Sequence, residues 1–134
     1  MEGSYVLLLE LNKNRTINAG GLGKIKFRKG FYAYVGSALG GIEKRVERHL
    51  MVEAGLEHKL HWHIDYLLEN AKISEIISVE NPDRKECGIA KKLAEKFPSV
   101  KGFGCSDCKC DSHLFYSKTL KDFKKEISDI VEKV

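Results

Sequence analysis

The residues with the most chemistry in the shortest span run from Tyr32 to His49, YAYVGSALGGIEKRVERH, where two phenols, a glycine turn and the cluster Arg45, Arg48 and His49 follow one another. Period-2 alternation puts Tyr32 and Tyr34 on one face of a strand, opposite Phe31, Ala33 and Val35. Gly36 and the pair Gly40-Gly41 leave room there for a ligand or a close backbone. On a helical wheel the next segment gathers Ile42, Val46 and Leu50 into an apolar stripe, with Arg45 and His49 on its shoulder. Lys44, Glu47 and Arg48 then face water. Arg45 and His49 have two readings: side chains whose stems cover the core edge, or a cation and an imidazole presented beside the phenols for chemistry.

Glu86 is the acid that stands out. Its helix buries Ile89, Ala90, Leu93 and Phe97, and Glu86 projects onto the same stripe, where a carboxylate is costly unless paired or bound to a metal. The alternative is a capping box, Asp83-x-x-Glu86. Cys105, Cys108, Cys110 and His113 are all potential zinc ligands, but nine consecutive residues can hardly wrap a tetrahedron without an insert between ligand pairs. A partial set of Cys108, Cys110 and His113, completed by His61 or His63, is the remaining zinc arrangement; reduced thiols are the alternative. GGLGK lacks the first glycine and the hydroxyl residue of a phosphate loop, and reads as a turn.

The elements that must position these groups fall into two blocks. Gly3 to Leu11 reads as a strand forming a hairpin with Arg15 to Ala19, and Lys24 to Arg28 pairs with Phe31 to Val35 across Lys29-Gly30. Helices are expected over Ile42 to Ala54, Leu60 to Ala71 and from Asn81-Pro82-Asp83 to Phe97, with a strand near Ile73 to Val79. In the second helix Leu60, Ile64, Leu67 and Leu68 face the core, while Trp62 and Tyr66 share the opposite face. Another element, such as the C-terminal helix, is expected to cover that aromatic pair; uncovered, it would be a stacking surface for bases. A strand at His113 to Ser117 leads into an amphipathic helix from Thr119 carrying Leu120, Phe123, Ile127, Ile130, Val131 and Val134. Separate strand and helix blocks predict an α+β fold, a small antiparallel sheet flanked by helices, with an extra N-terminal β-hairpin.

The 134 residues suit one domain, 1–134, and 43% hydrophobic with 31% charged residues describes a globular chain. A net charge of +4 tolerates a polyanionic partner without requiring one. No signal core or membrane span is expected, so the cytoplasm, with its thiols reduced, is the expected compartment.

These residues resemble the GIY-YIG nuclease superfamily, and more closely its small stand-alone Uri-type branch. Gly3-Ser4-Tyr5 stands where the family has Gly-Ile-Tyr, Tyr34-Val35-Gly36 where it has Tyr-Ile-Gly, and Arg45 and His49 match its Arg-x-x-x-His helix motif. Glu86 matches the metal-binding glutamate, and HWHIDYLL and SDCKCDSHLFY look like signature strings of the branch. Ser4 replaces the central isoleucine, and the interval between Tyr5 and Tyr34 is much longer than usual, implying an extra β excursion around Gly20 to Gly30. The resemblance implies metal-dependent cleavage of a DNA phosphodiester, with one Mg²⁺ or Mn²⁺ held by Glu86 and the phosphate clamped by Arg45. Tyr34, with Tyr5 alongside, would orient or deprotonate the attacking water, and His49 is the competing base. Tyr32, Ser37 and Arg48 are the expected substrate contacts. A nucleic-acid-binding module without catalysis on the same scaffold is the rival reading.

Overall fold

The run Val6-Leu7-Leu8-Leu9 has no polar alternate, the pattern of a strand covered on both faces. In the computed structural model, which describes residues 3–38, 41–60, 62–80, 86–104 and 110–132, β1 (Gly3–Leu11) is such a strand. It lies between β4 (Gly30–Ala38) and β5 (Lys72–Glu80), and β6 (Leu114–Ser117) pairs with the far side of β4, giving an antiparallel sheet in the order β5-β1-β4-β6. Between β1 and β4 the chain makes a separate two-stranded ribbon, β2 (Arg15–Asn18) with β3 (Lys24–Phe27), joined through a 3-10 turn at Gly20–Leu22. The fold is α+β, and this ribbon is its extra hairpin.

Alternation along the central strands divides the core in two. Tyr5, Leu7, Leu9, Leu11 and Tyr32 face one side, where α1 (Ile42–Glu53), α2 (His63–Leu68) and the apolar side of the ribbon cover them. Val6, Leu8, Ala33 and Val35 face the other, packed on α3 (Glu86–Ala94) and α4 (Leu120–Glu132) through Ile89, Leu93, Phe123 and Ile127. A bulge between Leu8 and Leu9 breaks the period of β5, so Ile73 and Ile76, three apart, both reach the first side.

Several expectations are corrected. β1 does not pair with Arg15 to Ala19, nor Lys24 to Arg28 with Phe31 to Val35: β2 pairs with β3, and β1 with β4. The physical reason is burial. β1 and β4 are apolar on both faces and need the sheet interior, whereas β2 and β3 have one apolar side, Ile17, Ile25 and Phe27, and leave Thr16, Asn18, Lys24 and Lys26 in solvent. The second helix is a short piece, His63–Leu68, and Trp62 stands at its cap outside the helix. Trp62 and Tyr66 therefore do not share a covered face: Tyr66 packs under Gly20 of the 3-10 turn, and α4 lies across the sheet from both. In α1, Leu50 is 41% exposed and His49 takes the buried position instead. Residues 81–85 and His61 lie outside the described residues, as does the side chain of Glu86. Among the described residues no helix is long and apolar enough to cross a membrane.

Candidate functional site

Tyr5 and Gly36 are direct partners in the β1–β4 register, and a methyl on Gly36 would collide with Cζ and Oη of the tyrosine ring. The space that glycine leaves is thus filled by a phenol, not kept open for a ligand. Pressed over Gly36, the fully buried Tyr5 reaches α1 and makes a 2.7 Å hydrogen bond between its hydroxyl and Nε2 of His49. Burial pushes the Tyr5 hydroxyl above its ordinary value, helped by neighbouring Tyr34 and opposed by the Arg45 guanidinium. His49, 1% exposed, is pushed down to about 4, first by burial and then by Arg45 and Arg48, against the pull of Asp65. Both members of the pair are neutral at pH 7. Nδ1 of His49 is buried with no partner among the described residues, a cost of about 1–3 kcal/mol that packing alone does not require.

Around this pair the aromatic rings form a chain. Tyr34 is half-buried, its ring edge-on to His49 at 6.3 Å and to Phe103 at 6.3 Å, and Gly104 lets it lie close, within 3.2 Å of where a β-carbon would stand. On the other side His49 meets Trp62 at 6.4 Å. The guanidinium carbons of Arg45 and Arg48 lie 4.3 Å and 4.6 Å from the Trp62 ring centre, at cation–π distance.

Asp65 organises this corner. It is fully buried in α2 and accepts two hydrogen bonds from Arg48, at 2.8 Å and 3.0 Å, and one from the main-chain N–H of Trp62 at 3.0 Å. Arg48 also donates to the Lys59 carbonyl at 2.8 Å. The expectation that Arg48 faces water is therefore corrected: it is paired with a buried carboxylate that neutralises its charge. Asp65 was missed because only Glu86 was weighed as a buried acid. The signal was present, an acid placed among Ile64, Leu67 and Leu68 and within reach of a basic helix.

Two expected contacts lie elsewhere. Ser37 follows Gly36 on β4 and points to the α3–α4 side of the sheet, away from Tyr5 and Tyr34. Tyr32 shares the tyrosine face, but its hydroxyl donates to the Arg28 carbonyl at 2.7 Å and its ring packs on Phe27 and Tyr116, beside a separate groove of about 270 Å³. A larger cleft of about 630 Å³, lined by Glu10, Arg15, Glu53, Glu69 and Lys72, contains none of the expected site residues.

For metals, among the described residues no three His, Cys, Asp or Glu side chains group closely enough to hold an ion. Cys108 lies outside those residues; Cys110 is half-buried, and buried His113 has its Nδ1 3.1 Å from the Val35 carbonyl. Magnesium and manganese need less of the protein, since one carboxylate with water and substrate oxygens completes their shell. Glu86 fits that donor chemistry. It opens α3, which follows β5 in the chain, and Glu80 of β5 and Ala38 of β4 both pair with Gly3, so the strands that precede α1 and α3 end on one side of the sheet.

The comparison with known families bears on this geometry through one match, a model described as Domain of unknown function DUF123, over residues 4–134. The chain belongs to that family. The matched span of DUF123 includes Tyr5, Tyr34, Arg45, His49, Asp65 and Glu86. No curated protein and no solved structure matches the chain.

Proposed function

We propose that this DUF123 chain is a GIY-YIG-type endonuclease of the Uri-type branch, a cytoplasmic enzyme that hydrolyses DNA phosphodiesters with one divalent metal, in repair or processing of structured DNA. The observation that carries the reading is the 2.7 Å bond between Tyr5 and His49 with Arg45 and Tyr34 beside it. Four motif residues from three elements, far apart in sequence, share one corner, and two of them are polar groups buried at a cost that packing alone would not select.

Each residue has a role that its surroundings support. Tyr34, half-buried, is the phenol that water can reach; its oxygen accepts a hydrogen bond from the attacking water and aims it at phosphorus. Arg45 clamps the non-bridging phosphate oxygens through its planar fork and neutralises charge that develops there. Tyr5 and His49, both neutral and out of solvent, hold α1 against β1 and so fix the angle at which Arg45 leaves the helix. Burial of His49 argues against its serving as the base. Glu86 would hold the Mg²⁺ or Mn²⁺, whose charge stabilises the leaving oxygen when bound. The water oxygen bonds to phosphorus, one phosphorus–ester oxygen bond breaks, and the water's proton finishes on the leaving hydroxyl.

The test is a metal-ion screen of the purified chain against duplex, single-stranded, flap and junction DNA. Mg²⁺ or Mn²⁺ should support cutting, and Arg45→Ala and Glu86→Gln should each reduce it by at least about 100-fold. Unchanged cutting in both variants refutes these roles, and salt-sensitive binding without cutting under any metal leaves the binding-module reading in its place.

A further inference from the structure

We propose that Trp62 is a stacking platform for an unpaired DNA base, so that the strand enters the Tyr34–Arg45 corner as single-stranded or locally unpaired DNA. The inference rests on the endonuclease reading and adds the substrate class. Trp62 is 38% exposed, whereas Phe27, Phe103, Phe115 and Phe123 are all at most 2% exposed. Among the exposed large hydrophobic residues it is the aromatic one. An indole left at the surface forgoes much of the burial energy that a core would give it.

Its surroundings hold it still and cover only part of it: the guanidinium groups of Arg45 and Arg48 lie over the ring, and 38% of the residue stays exposed. The main-chain N–H of Trp62 is fixed by Asp65, and the Asp65 N–H returns a bond to the Trp62 carbonyl at 3.0 Å, so the residue is clamped at both ends of its peptide. The same Asp65 fixes Arg48, which sits 4.6 Å from the ring centre, while Arg45 sits at 4.3 Å. A base has a π-face of any sequence and stacks on indole and guanidinium planes alike. Arg45 at the ring suits a phosphate that flanks such a base, while Arg48, paired with Asp65, holds the ring in place. His49 touches both Trp62 and Tyr34, at 6.4 Å and 6.3 Å, so a base on the indole would stand one ring away from the proposed attacking water. In a paired duplex the base faces are occupied by their neighbours, and the platform has nothing to receive.

The chain contains one tryptophan, so its intrinsic fluorescence reports Trp62 alone. The wild-type protein, without metal so that nothing is cut, is titrated with oligothymidylate, oligouridylate and a blunt duplex of equal length, while anisotropy of labelled strands measures occupancy. Oligothymidylate should quench the tryptophan saturably and the duplex should not. Trp62→Ala should weaken oligothymidylate binding about tenfold or more, with Trp62→Phe close to wild type. Unchanged emission at full occupancy, equal quenching by duplex, or unchanged affinity in Trp62→Ala overturns the proposal. Stronger binding and quenching by oligouridylate overturns the assignment to DNA. Quenching by a strand that the metal-loaded protein never cuts would sink the endonuclease reading and leave the platform standing, so the two failures are distinct.

Discussion

At His49 two opposed demands meet, because the imidazole is sealed from water yet must serve the Tyr5 hydroxyl as a hydrogen-bond partner. Its folded pKa, down from 6.5 to about 4 through burial, makes a definite statement about stability. Between those values the unfolded chain binds a proton that the folded chain refuses, so the contribution of His49 is fully present above about pH 7 and is lost as pH falls towards 4. The shift is equivalent to about 3 kcal/mol. Urea unfolding at neutral pH and again near pH 4.5 should show wild type losing more stability than His49→Gln, by about 2–3 kcal/mol. Equal losses would mean that the ring is hydrated and chargeable in the folded state. At this scale the sequence showed which residue types matter but not their partners. Arg48 is spaced like a surface cation and becomes one half of a buried pair with Asp65, since nothing local to α1 reveals the carboxylate seventeen positions on.

At the scale of elements, the YVG segment of β4 is explained by what lies across from it. Gly36 faces Tyr5 in register, and the ring occupies the place of its absent side chain. Gly36→Ala should therefore drive the ring off His49, costing about 1–3 kcal/mol by overpacking and lowering Tm, with a parallel loss of DNA cutting. A Tm equal to wild type would show that the ring yields freely and that the glycine has another purpose. β1, α1, β5 and α4 were legible because their apolar periods are strong and long. The pairing was not, because nearness along the chain favours hairpins, and the decision between hairpin and sheet interior is made by how many faces of each strand need cover. α2 read as twice its length for a related reason: Leu60 keeps the helical apolar period, while Asp65 ties the Trp62 N–H and starts the helix late.

At the scale of the whole molecule, α1 and α3 lie on opposite faces of the sheet, yet each follows a strand, β4 or β5, whose last residue pairs with Gly3. A centre assembled at that end would draw its phenols and guanidinium from one face and its acid from the start of a helix on the other. Sequence alone made that convergence an expectation through motif order, since no period or turn signal states which end of a sheet two helices share. The endonuclease account stands on it. Manganese titration of the full chain, followed by NMR, measures it without any substrate: paramagnetic broadening should fall on the Tyr34 ring and the Arg45 side chain and vanish in Glu86→Gln. Broadening that misses Tyr34 and Arg45, or that persists there after Glu86→Gln, would contradict the account.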